Sequence, residues 1–178
     1  MGGQSPVATV ITCSDSRISP EMMFDCGLGD LFVIRNAGNV LSEDAIATVE
    51  FGVEKVGIPL LMVVGHEKCA AVEAAVNNAR SNPSGSTDSK TMTPLQSLLS
   101  KIHPAAVSTL EAMTGKNNKH VEEAHLQSAA VCKHVENVVS NLESIDSVRQ
   151  AQQEGRLKVM GVMYWLHSGK IEVVREPK

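Results

Sequence analysis

Three residues in this chain have the side chains and the spacing of a metal site. His66 and Cys69 stand three residues apart, where an apolar segment gives way to a helical pattern, so both can reach one ion. Cys13 follows a different apolar segment. Zinc takes thiolate and imidazole ligands, and a set of three protein ligands leaves a fourth position for water. Together the three residues predict a catalytic zinc site, whereas His66 and Cys69 alone would more often be structural.

Asp15 and Arg17 follow Cys13 at two and four residues' distance. A guanidinium can hold a carboxylate in a bidentate pair, which would keep Asp15 off the metal. Asp15 could then accept a hydrogen bond from a metal-bound hydroxide, which would make both residues catalytic. The alternative is a surface salt bridge that only closes the loop, and the two residues taken alone favour that alternative.

The segments around these residues predict an α/β fold with a central, mostly parallel β-sheet flanked by helices. Apolar runs at 7–12, 31–34 and 59–64 each end in a polar loop and are each followed by a helical pattern. Such alternation indicates parallel strands joined by helices. Folds of this class place their sites at the carboxyl ends of the strands, which is where Cys13 and His66 would meet.

The second half of the chain predicts further helices and a final pair of strands. The predicted elements are helices over 94–113, 118–142 and 146–153, and strands over 157–164 and 170–174. The sequence contains neither an internal repeat nor a domain boundary. We therefore predict a single domain over residues 1–178.

Composition narrows the class of function. The chain has a net charge of −4 and only 3% aromatic residues, so neither the basic patch nor the stacking platform of a nucleic-acid-binding protein is expected. No apolar run is long enough to span a bilayer, and the first residues lack a signal-peptide layout. The four cysteines are expected to be thiols or metal ligands. We predict no nucleic-acid or membrane partner and a cytoplasmic location, or an organellar one if a leader has been removed.

The motifs CSDSR at 13–17 and GHEKC at 65–69 resemble the signature of the β-class carbonic anhydrases. Four further segments are similar to that family: GQSP at 3–6, GDLFVIRNAGN at 29–39, VEFGVEKVG at 49–57 and GRLKVMGVMYWLHSGKIEV at 155–173. The resemblance implies a β-carbonic-anhydrase-like fold. It also implies reversible hydration of carbon dioxide to bicarbonate and a proton by a zinc-bound hydroxide. The family's zinc ligands fall on Cys13, His66 and Cys69, and its Asp–Arg pair falls on Asp15 and Arg17.

The same resemblance implies a substrate pocket shared between two subunits. Gln4 matches the glutamine that donates a hydrogen bond to the substrate in plant-type members, and the apolar walls fall on Phe32, Ala37 and Phe51. In the family this pocket lies at a dimer interface. We therefore expect a homodimer or a higher homo-oligomer in which Gln4 and Phe32 serve the zinc of a neighbouring subunit.

Three features depart from the family's usual pattern or select among its members. Ala70 follows Cys69 where a glycine is usual, and its Cβ could crowd a backbone N–H that helps to bind bicarbonate. Family members usually carry a helical arm before the first strand, and only six residues precede that strand here, so we expect the natural protein to extend further. Val10 stands where members with a closed, bicarbonate-regulated site carry Trp. This favours an open site with water as the fourth zinc ligand.

Two other functions stay open on these motifs. Hydrolysis of carbonyl sulfide or carbon disulfide would use the same ligands, because these molecules have the shape of carbon dioxide. A zinc-binding relative whose catalytic site is inactivated by Ala70 (a blunted relative) would keep the zinc ligands but lack the enzymatic activity. The presence of Gln4, Asp15 and Arg17 argues against the blunted form.

Overall fold

Five strands form one sheet in the computed structural model, which describes residues 3–85, 92–114 and 121–177. The strands are β1 (Ala8–Cys13), β2 (Leu31–Asn36), β3 (Leu60–His66), β4 (Lys158–Trp165) and β5 (Lys170–Arg175). Their spatial order is β2-β1-β3-β4-β5, and all neighbours are parallel except β4 and β5, which are antiparallel. The predicted α/β class with a mostly parallel central sheet is confirmed, and every predicted strand end lies within two residues of the observed one.

Six α-helices and a short 3-10 helix (Ala37–Asn39) accompany these strands in the described part of the chain. The α-helices are α1 (Pro20–Met23), α2 (Glu43–Phe51), α3 (Ala70–Ser81), α4 (Pro94–Thr114), α5 (Glu123–Glu143) and α6 (Asp146–Gln153). α2 continues into a π-helical turn over Gly52–Val56. The helix predicted over 118–142 corresponds to α5, and its first residues, 118–120, lie outside the described ranges. No helix within those ranges combines the length and the apolar character needed to cross a membrane.

Local sequence explains where the helices next to the predicted site begin. Ser42 precedes α2, and its hydroxyl oxygen accepts a hydrogen bond from the N–H of Ala45 at 3.2 Å. Such a cap satisfies one of the free N–H groups at a helix start, and the acidic residues Glu43 and Asp44 suit the positive end of the helix dipole. Cys69 is the residue before α3, so one predicted metal ligand sits at a helix N-terminus.

The helices pack mainly on one face of the sheet. α2, α5 and α6 bury that face in a cluster that includes Ile11 and many valines. The buried members of the opposite cluster all come from strands: Ala8, Val10, Val64 and Val162. Its other members include the partly buried strand residues Met62 and Met160, and only Met23 and Phe24 come from outside the strands. This second face is thus thinly covered within the described chain.

α5 approaches the sheet so closely that two strand positions require glycine. A Cβ at Gly65 would lie 2.7 Å from side-chain carbons of Val131 and Val135. A Cβ at Gly161 would lie 2.6 Å from Val135 Cγ1 and 3.2 Å from Val139 Cγ2. These distances are shorter than carbon–carbon van der Waals contact, so neither position accepts a larger residue without a shift of the helix.

A Gly161→Ala substitution should lower the free energy of unfolding by about 1–3 kcal/mol, the usual result of overpacking a core. Gly27→Ala is the matched control, because a Cβ there would meet only Asp30 Oδ2, at an ordinary 3.5 Å. Urea denaturation measures both variants. Equal stability of Gly161→Ala and the unaltered protein would mean that α5 packs less closely on β4 than described.

Candidate metal centre

Cys13, His66 and Cys69 meet at one edge of the sheet. Cys13 is the last residue of β1, His66 is the last residue of β3, and these strands are parallel neighbours. All three residues are buried, and their ligand atoms lie within 4.8 Å of one another. The two sulfur atoms are 4.0 Å apart. Two thiolates on one tetrahedral zinc, with bonds of about 2.3 Å, would be about 3.8 Å apart, so this spacing suits a shared ion.

The His66 ring is held in the orientation of a metal ligand. Its Nδ1 lies 2.9 Å from the carbonyl oxygen of Glu67. Because a carbonyl oxygen only accepts hydrogen bonds, Nδ1 carries the hydrogen and Nε2 carries a free lone pair. Nε2 is buried and has no hydrogen-bond partner in the described part of the chain. Buried polar atoms are rarely left unpaired, and a metal ion at this atom would satisfy it.

The two thiols influence each other's ionisation. Hydrogen bonding from Cys69 lowers the pKa of Cys13 to about 4, and the backbone N–H of Gly38 acts in the same direction. The same contact, together with burial, raises the pKa of Cys69 above its usual value. A bound dication deprotonates coordinating thiols, so this donor set of two sulfurs and one imidazole fits zinc.

Asp15 and Arg17 form a bidentate pair beside these ligands. Arg17 Nε donates to Asp15 Oδ1 at 2.9 Å, and Arg17 Nη2 donates to Oδ2 at 2.7 Å. These hydrogen bonds hold the pKa of Asp15 well below its usual range, so the carboxylate stays ionised at neutral pH. Arg17 Nη2 also donates to the carbonyl oxygen of Lys68 at 3.2 Å. The pair thus joins the loop after β1 to the loop that carries Cys69.

Arg35 is a further contributor that sequence reasoning missed. From β2 its Nε donates to the carbonyl oxygen of Cys13 at 3.1 Å. Its Nη2 donates to the carbonyl oxygens of Asp15 and Ile18 at 3.0 and 2.9 Å. Arg35 therefore fixes the backbone of the loop that contains Cys13 and Asp15. In the sequence Arg35 is only a charged residue directly after the apolar run 31–34, and its pairing with Thr12 of β1 is seen only in the structure.

The residues predicted to line a substrate pocket are only partly brought together. Phe32 on β2 and Phe51 at the end of α2 stack with ring centroids 6.5 Å apart, and 51% of Phe51 is exposed. Ala37 is exposed directly before Gly38, and Ala70 is exposed directly after Cys69. Gln4 is exposed. Within the described residues, its side chain makes no hydrogen bond to the three clustered residues Cys13, His66 and Cys69.

The sequence of this chain is similar to those of known proteins. A sequence model of the family described as carbonic anhydrase matches residues 8–171. The carbonic anhydrase of Mycolicibacterium smegmatis is 30% identical over 173 residues, which covers 96% of this chain and 75% of that relative. Carbonic anhydrase 2 of Mycobacterium tuberculosis is 45% identical over 74 residues, 42% of this chain. That second match spans only 36% of the relative's own length.

The fold also has solved counterparts. One is from a pair of tetrameric β-carbonic anhydrases of the filamentous ascomycete Sordaria macrospora. The superposition has a TM-score of 0.83 and covers 99% of this chain and 84% of that one, at 23% identity. At this identity the likeness shows the fold alone, and the sequence matches above supply the family.

Proposed function

Because this chain belongs to the carbonic anhydrase family and has the fold of its β class, we propose that it catalyses the reversible hydration of carbon dioxide to bicarbonate and a proton. The supporting observation is the buried cluster of Cys13, His66 and Cys69, with the unpaired His66 Nε2 beside two thiols. We propose that these residues hold one Zn²⁺. When bound, zinc supplies a Lewis acid that makes a coordinated water acidic enough to act near neutral pH.

Asp15 and Arg17 have distinct roles in this proposal. Arg17 binds both carboxylate oxygens, which fixes the position of Asp15 and keeps it ionised. An ionised carboxylate only accepts hydrogen bonds, so Asp15 accepts a hydrogen bond from the attacking oxygen. This leaves a lone pair of that oxygen directed at the carbon atom of the substrate.

The pocket for carbon dioxide is proposed to be apolar. Phe32, Ala37 and Phe51 form its walls, which suit a small molecule without net charge, and the stacked phenyl rings support this assignment. Gln4 donates a hydrogen bond to a substrate oxygen. Ala70 stands beside the same pocket at the start of α3, where its Cβ narrows the space available to bicarbonate.

We propose a homodimer as the smallest active unit. The thinly covered sheet face, with Met62 and Met160 partly exposed, offers apolar surface to a second copy. Leu28 is fully exposed and Met22 is 86% exposed, so α1 and the loop after it add apolar surface to this proposed contact. The Sordaria relative is described as tetrameric, which agrees with association in this fold. The single domain over 1–178 and the cytoplasmic location remain predictions.

A complementation experiment tests whether the pocket is shared between subunits. Gln4→Ala and Cys69→Ala homodimers should each be nearly inactive. A mixed dimer contains one complete site, made from the zinc ligands of the Gln4→Ala subunit and Gln4 of the other. Random co-assembly should therefore recover about a quarter of the activity of the unaltered protein, measured per chain after co-expression. No recovery, or a fully active monomer on sedimentation, would contradict the shared pocket.

The pH dependence follows from the ionised state of Asp15. Since Arg17 holds the pKa of Asp15 far below neutrality, this carboxylate does not titrate in the working range. We expect log kcat/KM to rise with pH at a slope of one and to level off above about 7, as one proton leaves the attacking water. If Asp15 were a metal ligand that had to leave first, the rise would be steeper and lie at higher pH. Initial rates from pH 6 to 9 distinguish the two.

Stopped-flow hydration of carbon dioxide by the zinc-loaded protein tests the proposed reaction, with carbonyl sulfide as a parallel substrate. We expect rapid proton release with carbon dioxide and little hydrogen sulfide from carbonyl sulfide. Preferred turnover of carbonyl sulfide would assign the site to the alternative hydrolase. Stoichiometric zinc without turnover of either substrate would indicate a blunted relative.

A further inference from the structure

A buried histidine with no role in the proposed reaction lies two hydrogen bonds from a metal ligand. His134 of α5 has its Nε2 2.8 Å from the carbonyl oxygen of Gly38. The N–H of Gly38 donates to Cys13 Sγ at 3.3 Å. Because a carbonyl oxygen only accepts, His134 Nε2 carries the hydrogen and donates it. His134 and Cys13 therefore bind the two polar backbone groups of one residue.

Gly38 is a residue whose orientation has to be fixed from outside. It has a φ of 69°, in the left-handed region that favours glycine. A Cβ at this position would lie 2.7 Å from Ile102 Cδ1 and 3.0 Å from Ala71 Cβ, so a larger residue does not fit. Glycine, however, restricts its own backbone least of all residues. The direction of the Gly38 N–H thus depends on the hydrogen bonds around it.

The turn around Gly38 is closed by hydrogen bonds between its first residue, Asn36, and its last residue, Val40. Asn36 Nδ2 donates to the carbonyl oxygen of Val40, and the N–H of Val40 donates to Asn36 Oδ1, both at 2.8 Å. These bonds close the turn but leave the Gly38 carbonyl free. In the described part of the chain, the hydrogen bond recorded to that carbonyl comes from His134, 96 residues away in sequence.

A histidine at position 134 destabilises this part of the core, because it buries a polar side chain. It is 2% exposed, and its Nδ1 is buried without a hydrogen-bond partner among the described residues. An unpaired buried acceptor is unfavourable because its desolvation is not compensated, and an apolar side chain would avoid that penalty. Burial lowers the pKa of His134, so the ring is neutral at neutral pH and keeps a single N–H. That hydrogen is the one given to Gly38.

We infer that His134 is a positioning residue for the metal centre. It fixes the Gly38 backbone so that the N–H of Gly38 donates a hydrogen bond to the Cys13 sulfur. This hydrogen bond determines how much negative charge the Cys13 thiolate donates to zinc. The inference rests on the proposed zinc site. Removing a direct hydrogen-bond partner of a metal ligand typically weakens metal binding about 10–100-fold. His134 acts one hydrogen bond further away, so the lower end of that range is expected.

Two substitutions at position 134 separate the hydrogen bond from packing. His134→Leu fills a similar volume but has no donor, and it should weaken zinc binding about tenfold in competition with a chelator. It should also shift the thiolate-to-cobalt charge-transfer absorption of the Co²⁺-loaded protein. His134→Gln carries an amide N–H near the position of Nε2 and should restore most of both. Val138→Ala is the control, because Val138 lies one turn further along α5 and has no bond to Gly38.

Each outcome decides for or against the inference. Unaltered zinc affinity and an unshifted cobalt spectrum in His134→Leu would overturn it, as would an equal loss in Val138→Ala. If His134→Leu does not fold, His134→Asn provides the same comparison, since its shorter amide does not reach Gly38. These readouts do not require turnover. A protein that binds zinc but does not hydrate carbon dioxide would refute the proposed function and still test His134.

Discussion

A Cys69→Ala variant should lose nearly all its zinc and, with it, hydration activity. Cys69 supplies one of three buried ligand atoms, and its sulfur lies 4.0 Å from that of Cys13. Structural zinc sites bind with about 10–16 kcal/mol. Shared among three or four ligands, this makes one thiolate worth several kcal/mol, on the order of 10³-fold in affinity. Metal analysis after dialysis against a weak chelator measures the loss.

Cys132→Ala is the matched control for that experiment. Cys132 is also a free, partly buried thiol, but it lies on α5 outside the metal group. This variant should keep one zinc per chain. Circular dichroism on both variants checks that the fold is intact. Undiminished zinc in Cys69→Ala would remove Cys69 from the site and leave His66 and Cys13 as an incomplete pair.

The second large effect is expected for Asp15→Asn, which should keep zinc but reduce kcat about 10²–10³-fold, the loss typical when one preorganised hydrogen-bonding group of an active site is removed. The carboxylate of Asp15 only accepts hydrogen bonds, whereas an amide also donates. An amide at this place would therefore favour the wrong orientation of the attacking water. Zinc content should not change, because Asp15 is paired with Arg17 and is not one of the clustered ligands.

An ion pair elsewhere on the surface provides the control for Asp15. Asp146 pairs with Arg149 in the first turn of α6, and both side chains are largely exposed. Asp146→Asn removes an Asp–Arg pair of the same type, and we expect full turnover from it. If Asp15→Asn also turned over normally, the pair with Arg17 would be only a loop contact, which is the alternative left open by the sequence.

Much of the fold and the proposed ligand set could be predicted from local sequence patterns. β1 and β3 are apolar runs bounded by polar loops, so their type and length follow from short-range periodicity. The meeting of Cys13 with His66 follows from the rule that parallel strands end at one edge of a sheet. The pairing of Asp15 with Arg17 needs only a two-residue spacing in one loop.

What the sequence did not predict depends on contacts between distant segments. Arg35 reaches three carbonyl oxygens because β2 lies beside β1 in a particular register. His134 reaches Gly38 because α5 lies close against the sheet above Gly65 and Gly161. The hydrophobic pattern of β2 does not reveal the contacts of Arg35, and the pattern of α5 does not reveal the contact of His134. The thin cover on the second sheet face likewise depends on the tertiary packing of all the helices.

The most direct test of the account is a zinc titration of metal-free protein in which carbon dioxide hydration is followed by stopped flow. We expect no hydration above the buffer rate without zinc, a linear rise in rate as zinc is added, and a plateau at one zinc per chain. Hydration by the metal-free protein would contradict the account. So would a protein that binds one zinc per chain and hydrates carbon dioxide no faster than buffer.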